Sequence, residues 1–369
     1  MLSVFKKMKT RDHEQVIFCH DNNSDLKAII AIHNTTMGPA FGGCRMWNYN
    51  SEEDALEDVL RLSRGMSYKA AVAGISLGGG KAVIIGDSRR GKNEKLFRAF
   101  GRFVEGLAGR YITAEDVGTS VKDMEWVRME TSYVTGISPT LGGSGDPSPL
   151  TALGTYSGIK ATVKKQLGKD SLTGLNIGIQ GVGHVGYYLC RYLKKNGANL
   201  YVSDINEYAL KRVVEEFQAK VLDIDEIFRS DIDIFSPCAL GATLNSNTIP
   251  QLKCSIVAGA ANNQLKKEDI HSQMLHDRGI LYAPDFVINA GGLINCANEI
   301  EGYNHERAFQ DTKEGIYNNL IKVYNLSEKD SLTTQQAALK IAKKRMFDIT
   351  KLKNESLKMG NIMGKRDNG

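Results

Sequence analysis

The stretch from Leu175 to Asp204 constrains the fold more tightly than any other part of this chain. Leu175-Asn176-Ile177-Gly178-Ile179-Gln180 reads as a short strand and runs directly into Gly181-Val182-Gly183-His184-Val185-Gly186, after which Leu189, Tyr192 and Leu193 recur at helical spacing. A G-x-G-x-x-G turn between a strand and a helix is the setting in which this motif holds a dinucleotide. The first glycine makes the tight turn, the second lets a pyrophosphate approach the backbone, the third packs helix on strand, and the helix N-terminus faces the phosphate charge. The next strand, Ala198-Asn199-Leu200-Tyr201-Val202-Ser203, ends at Asp204, 23 residues after Gly181. A carboxylate there accepts hydrogen bonds from the adenosine ribose hydroxyls and repels a 2′-phosphate, so NAD is expected rather than NADP. The predicted cofactor-binding residues are Gly181, Val182, Gly183, His184, Val185, Gly186, Tyr187 and Asp204.

The same texture continues downstream. Lys220-Val221-Leu222, Ile232-Asp233-Ile234-Phe235, Ser255 to Ala260 and Gly279-Ile280-Leu281-Tyr282 are short runs separated by helical patterns. Together with the two strands of the motif they give about six parallel strands, the content of a doubly wound domain. The loops Pro237 to Gly241, Ala260-Ala261-Asn262-Asn263 and Asn289-Ala290-Gly291-Gly292 follow strand ends and are expected to line its crevice.

At 369 residues the chain is long for one domain. The cluster Leu141-Gly142-Gly143-Ser144-Gly145-Asp146-Pro147-Ser148-Pro149 suits neither helix nor strand and predicts a hinge, with a helix beyond it to about Lys165. The expected fold class is α/β: an N-terminal α/β domain over residues 1–147 and a C-terminal Rossmann domain over 148–329. Amphipathic helices near Asp311 to Tyr324 and Thr333 to Met346 close the chain, and residues 330–369 are free to pack back on the first domain.

In the N-terminal part the first organised element is expected at Ser51-Glu52-Glu53-Asp54, a helix cap with acids in the first turn. That helix leads to Lys69-Ala-Ala-Val-Ala-Gly-Ile-Ser-Leu-Gly-Gly-Gly-Lys81. Two ammonium groups bracket a triple glycine able to adopt positive φ and approach a ligand, and Ala82-Val83-Ile84-Ile85 reads as a buried strand that fixes Lys81. If both lysines share a partly dry cleft, desolvation and like-charge repulsion favour the neutral amine, which can act as a base. A phosphate loop is excluded, because Ile75 and Ala82 stand where that motif needs Gly and Ser or Thr. A glycine turn with an exposed lysine is the plain alternative. A second helix, Lys95 to Leu107, precedes Tyr111-Ile112-Thr113-Ala114, a strand with Glu115-Asp116 at its carboxyl end. Asp116 is either a proton carrier or a cap for a helix starting near Ser120.

Other classes of function find little support. No early segment has the apolar length of a signal peptide and no later run that of a membrane span, so a soluble, cytoplasmic protein without a membrane partner is expected. The six cysteines are far apart, without Cys-x-x-Cys, and read as reduced core thiols. The seven histidines are scattered too, so spacing supports no metal site. Net charge is +5, all of it accounted for by the tail from Lys343, with eight basic residues against three acidic ones. Such a tail can bind nucleic acid, but it lacks interleaved aromatics and reads better as a solvated helix end with a frayed terminus; no nucleic-acid partner is expected.

Several blocks in one order spell a family. Met37-Gly38-Pro39-Ala40-Phe41-Gly42-Gly43-Cys44-Arg45, Tyr68-Lys69-Ala70-Ala71, Gly78-Gly79-Gly80-Lys81-Ala82, Ala114-Glu115-Asp116-Val117-Gly118, Asp146-Pro147-Ser148-Pro149, Gly181-Val182-Gly183, Ala261-Asn262-Asn263-Gln264 and Ile288-Asn289-Ala290-Gly291-Gly292 resemble the amino-acid dehydrogenases of the glutamate, leucine, phenylalanine and valine group. The likeness runs from about His13 to Ala342 and is strongest to the leucine-specific members. It implies NAD-dependent, reversible oxidative deamination of a branched-chain L-amino acid (leucine, valine or isoleucine) to the 2-oxo acid and ammonia. It also implies that the first domain binds substrate and mediates homo-oligomerisation, as an octamer in the leucine-specific members. Lys69 would hold the substrate carboxylate, Lys81 would activate the attacking water and Asp116 would shuttle a proton. Gly43 and Asn263 would contact substrate, and Thr151 and Asn262 the cofactor.

The substrate pocket is where the sequence departs from those relatives. Phe41 stands where leucine is common, and Leu293 and Cys296 where valines are usual, with a matching Ala114. An added ring takes up volume and favours a short branched side chain, or stacks on an aromatic one. A phenylalanine or tryptophan dehydrogenase is therefore an open alternative, and a non-catalytic NAD-binding sensor a remote one. His184 and Gly186 replace the usual Asn and Ala of the loop, and His184 adds a pH-dependent group there.

Overall fold

The computed structural model of the protein describes residues 3–239 and 241–363, and side chains up to residue 353. It divides into two compact units, Met1–Leu141 with Lys340–Gly369, and Gly142–Leu339.

The first unit begins with α1 (Val4–Arg11), β1 (Gln15–Asp21), β2 (Leu26–Asn34), β3 (Ala40–Phe41) and β4 (Cys44–Trp47). It continues with α2 (Glu52–Ala73), β5 (Gly78–Ile85), α3 (Glu94–Glu105), β6 (Tyr111–Ile112) and α4 (Val121–Arg128). Its sheet has the order β1-β2-β5-β3-β6, with β4 also on β5. The β1–β2 and β2–β5 pairs are antiparallel, the others parallel. Organised structure therefore starts well before Ser51. The β1–β2 hairpin is hard to read because β2, Leu-Lys-Ala-Ile-Ile-Ala-Ile-His-Asn, is buried on both faces and lacks the polar alternation that marks a strand. Its turn is closed by Asp21, whose Oδ2 accepts from the Ser24 backbone N–H at 3.0 Å.

Strand periodicity sorts the two faces. Ile29, Ala31 and Val83 meet Ala55, Leu56, Val59 and Leu60 of α2. Ile30, Ile32, Ala82 and Ile84 meet Phe97, Phe100 and Val104 of α3 and Met124 and Val127 of α4. Each fully buried Leu, Ile or Phe contributes roughly 1.5–3 kcal/mol, so the two layers clamp β5 firmly. Ser51 caps α2 as expected, its side chain accepting from Asp54 N–H.

The triple glycine is corrected by the structure. Gly78, Gly79 and Gly80 form the first half of β5, not a turn, and none has positive φ. They are small because their neighbours are close: a Cβ on Gly79 would overlap Ser67 of α2, and one on Gly80 would lie 2.7 Å from the Tyr111 ring.

The second unit contains α5 (Ser148–Leu167), β7 (Asn176–Gln180), α6 (His184–Lys195), β8 (Asn199–Ser203), α7 (Glu207–Phe217) and β9 (Lys220–Val221). There follow β10 (Ile234–Pro237), β11 (Ile256–Val257), α8 (Glu268–Asp277), β12 (Leu281–Tyr282), α9 (Asp285–Ile288), α10 (Gly291–Ile300) and α11 (His305–Asp330). The six strands are parallel in the order β9-β8-β7-β10-β11-β12. In chain order this is 3-2-1-4-5-6, the doubly wound arrangement, with its switch point between β7 and β10.

The last helix, α12 (Thr334–Met363), leaves the second unit at Lys340. Arg345 then donates from Nη1 to Ala71 O at 3.0 Å and from Nη2 to Gly74 O at 2.8 Å, covering the C-terminus of α2. The far end of the basic tail, residues 364–369, lies outside the described residues. Among the described residues no helix is long and apolar enough to cross a membrane. All six cysteines are free thiols, five of them buried.

Candidate active site

β3 and β4 are two pieces of one edge along β5. Ala40 and Phe41 pair with Gly78 and Gly79, and Cys44 to Trp47 pair with Ala82 to Ile85. The break at Gly42-Gly43 thus lies beside Gly80 and Lys81. A Cβ on Gly43 would lie 3.0 Å from the Cβ of Asp116, so only glycine lets the loop after β6 come this close.

On β5, Lys81 shares a face with Val83, the face toward α2, and is 5 % exposed. Its Nζ lies 3.0 Å from Asp116 Oδ1. The other oxygen of Asp116 accepts from Arg45 Nε of β4, also at 3.0 Å. Asp116 does not cap α4: the carboxylate sits between two cations, while its backbone N–H donates to Thr119 Oγ1 at 2.9 Å. Burial by itself raises the Asp116 pKa, but the Lys81 and Arg45 charges outweigh it and hold the carboxyl below its usual range. The neighbouring Cys44 thiol and Tyr111 hydroxyl are pushed well up by burial and stay neutral. An ionised acid on the loop after β6 against a buried amine on β5 is a proton-transfer pair able to act on a small polar molecule.

Lys69 lies on α2, four residues before its last residue Ala73. It stands two residues beyond Ser67, which abuts Gly79, as Lys81 stands two residues beyond Gly79. Phe41 and Ala114 are buried in the first unit, at 2 % and 4 % exposure. Leu293 and Cys296 are buried on α10 of the second.

In the second unit β7 runs through Gly181 and Gly183 into α6. Gly181 has φ of +96°, and a Cβ there would meet Ala239 N at 2.7 Å, so the turn admits only glycine. A Cβ on Gly186 would overlap Gly181 O, which explains glycine at this third position. Nothing stands within 4 Å of a Cβ on Gly183, leaving the start of α6 open for a ligand. Asp204 follows β8; its Oδ2 accepts from Val182 N–H at 2.7 Å and its Oδ1 from Asn206 N–H at 2.8 Å, which pins the carboxylate to the phosphate loop. A groove of about 370 Å³ runs along this edge, lined by Asp146, Gly183, His184, Tyr187, Asn206 and Arg212 among others. His184 is 86 % exposed, with Nδ1 3.9 Å from Asp146 Oδ2. Arg212 stacks on Tyr187, 3.6 Å from the ring centroid, and both hold Glu216. An open glycine and a helix N-terminus at the groove, with Asp204 fixed to its lining residues Val182 and Asn206, fit the phosphates and ribose of a dinucleotide.

The remaining predicted residues lie on the loops and helix around the carboxyl ends of these strands. Thr151 is in the first turn of α5, its hydroxyl donating to Pro147 O at 2.9 Å. Asn262 Oδ1 accepts from Asn289 Nδ2 at 2.7 Å, and Asn263 is in the left-handed region at φ +52°. Sequence reasoning missed Arg45 and Arg212. Arg45 stood inside a quoted block without a role; Arg212 is a helix-surface charge whose spacing carries no signal.

Comparison with known proteins gives this arrangement its lineage. Residues 13–133 match the model of the Glu/Leu/Phe/Val dehydrogenase dimerisation domain, and residues 201–354 that of the Glutamate/Leucine/Phenylalanine/Valine dehydrogenase domain. The chain is 56 % identical to leucine dehydrogenase of Geobacillus stearothermophilus over 366 residues, 99 % of each protein. It is also 56 % identical to leucine dehydrogenase of Bacillus subtilis, over 97 % of this chain and 98 % of the relative. Among solved structures, L-tryptophan dehydrogenase from Nostoc punctiforme aligns with a TM-score of 0.80 at 47 % identity, over 94 % of this chain and 99 % of that one. With a buried lysine–aspartate pair in one unit and a dinucleotide fold in the other, the chain belongs to the glutamate/leucine/phenylalanine/valine dehydrogenase family of amino-acid dehydrogenases.

Proposed function

We propose that this enzyme catalyses the reversible, NAD-dependent oxidative deamination of leucine, valine or isoleucine to the corresponding 2-oxo acid and ammonia. The observation that carries the reading is the contact of the buried Lys81 with Asp116, 3.0 Å apart, in a chain 56 % identical to leucine dehydrogenases.

In this mechanism the Lys69 ammonium holds the substrate carboxylate as a point charge. Asp116 takes a proton from the substrate amine, so that the nitrogen lone pair can form a C=N bond as hydride leaves Cα. A bound nicotinamide dinucleotide supplies the hydride acceptor, with Gly181 to Tyr187 and Asp204 holding its phosphates and ribose and Thr151 and Asn262 toward its other end. Water then adds to the imino carbon while Lys81 removes its proton. Asp116 returns a proton to nitrogen, and as the C–N bond breaks the carbinolamine hydroxyl gives its proton back to the re-ionised Asp116, releasing ammonia and the oxo acid. Gly43 leaves the backbone close to substrate, Asn263 adds a polar contact, and Phe41, Ala114, Leu293 and Cys296 shape the side-chain pocket. NAD is preferred because the fixed charge of Asp204 repels a 2′-phosphate. The reading also includes a cytoplasmic homo-oligomer, an octamer as the leucine-specific resemblance implies, and residues 1–147 and 148–329 as substrate and cofactor domains.

Turnover of L-Leu, L-Val, L-Ile, L-Phe and L-Trp with NAD and NADP tests it. We expect NADH to form fastest with the aliphatic substrates. Faster turnover of Phe or Trp would replace this reading with an aromatic amino-acid dehydrogenase, for which the buried Phe41 is the motive. NADH from no amino acid would favour a sensor.

A further inference from the structure

Asp116 is one link in a chain of charges that extends away from Lys81. Arg45, 15 % exposed at its side chain, uses Nε for Asp116 and Nη1 for Asp58 Oδ2 on α2, 2.9 Å away. Asp58 is held in turn by Tyr49 Oη at 2.7 Å and Arg61 Nη2 at 2.9 Å. The order Lys81, Asp116, Arg45, Asp58, Arg61 alternates in sign across three elements, β5, β4 and α2, and the loop that carries Asp116. Register explains why it can form: Arg45 pairs with Val83 on β5, so both Arg45 and Lys81 project toward α2.

We propose that Arg45 is a positioning residue for the proton-transfer pair: it aims the Asp116 carboxylate at Lys81 and sets the protonation of that pair, with Asp58 tempering its charge. The inference rests on the deamination reading given above.

The geometry leaves Arg45 few other tasks. A guanidinium spanning two carboxylates fixes the plane of each in a way a point charge does not. The groups that face the pair are Lys81 from β5, Arg45 and the Cys44 thiol from β4, the Tyr111 hydroxyl from β6, and Asp58 and Arg61 from α2 beyond Arg45. Of these the thiol and phenol stay neutral and Arg61 contacts Asp58, while Arg45 bonds Asp116 directly and, with Lys81, holds its carboxyl down. Two groups 3.0 Å apart titrate as a pair, so removing a neighbouring positive charge raises the apparent pKa values of both. Removing the negative charge of Asp58 acts in the opposite sense, since Arg45 is then less neutralised.

The test is the pH dependence of kcat/KM for amino-acid oxidation, which reports on the free enzyme's essential groups. In Arg45→Gln the acid limb should move up by about 1 pH unit or more. Arg45→Lys should bring it part of the way back. In Asp58→Asn, which keeps an oxygen for Arg45, it should move down. Folding is checked by circular dichroism, and if Arg45→Gln does not fold, the Arg45→Lys and Asp58→Asn profiles decide. A merely structural role lowers kcat without moving the limb, so folded variants whose profiles superimpose on the wild type, or an Asp58→Asn limb that moves in the same direction as those of the Arg45 variants, would overturn the inference. A wild-type protein that oxidises no amino acid would refute the deamination reading itself and this role with it.

Discussion

In the proposed reading cofactor choice is decided at Asp204, whose surroundings bear on how strictly. Its carboxylate is already committed to Val182 N–H and Asn206 N–H, so it is aimed before any ligand arrives. Hydrogen bonds to a charged acceptor are worth roughly 1.5–3 kcal/mol, and a 2′-phosphate would instead bring two like charges together. In Asp204→Ala, fluorescence titration should give an NAD affinity at least about tenfold weaker and an NADP affinity that gains relative to it. An unchanged ratio would count against the ribose contact. At this scale the sequence was most legible where chemistry and spacing coincide: a glycine at a turn, an acid at a strand end, a lysine at the end of a glycine run. Arg45 was illegible because what it does depends on which residues β4 and α2 bring beside it, and single-sequence spacing carries no such information.

Among the elements, α2 and its contact with the sheet carry the most consequence. The triple glycine suggested a flexible turn from its composition, yet its members are extended, and what requires glycine there is the approach of Ser67 and Tyr111. Close packing and positive φ call for the same residue, so the sequence alone cannot separate them. The same interface buries two histidines that looked unrelated in the sequence. His33 Nδ1 meets Ser67 Oγ at 2.7 Å, and His13 Nε2 meets Ser63 Oγ at 2.9 Å, with the two rings 4.9 Å apart. Burial, followed by the charges of Arg11 and Arg64, lowers the His13 pKa to about 4. Burial, then His13 and Arg64, lowers that of His33 to about 3. Both values lie below the usual 6.5, so between 6.5 and the folded values the unfolded chain binds more protons than the folded one. Stability from these groups is therefore complete above pH 6.5 and is lost as pH falls toward 4 and then 3, on the order of a few kcal/mol in all. Urea unfolding should already show a decline between pH 6.5 and 5, above the carboxylate range. A flat profile there would mean that the pair is not buried in neutral form.

For the whole molecule, two kinds of legibility met. The doubly wound sheet could be read from its strands and turns because β7, β8 and β11 are each followed by an α-helix, the connection a parallel sheet requires. The N-terminal sheet was read only in part, since β2 is buried on both faces and β3 and β6 are two residues long. In the proposed mechanism the chemistry depends on β4, β5 and the loop after β6 bringing Arg45, Lys81 and Asp116 to one point. The most direct test of that claim is steady-state oxidation of a branched-chain L-amino acid with NAD by Lys81→Ala. General acid–base groups supply about 10²–10⁴-fold in rate, so kcat/KM should fall by at least about 100-fold while NAD still binds with its wild-type affinity. A variant that keeps its rate to within about tenfold, roughly 1.4 kcal/mol of barrier, would contradict the assignment of Lys81 as the base.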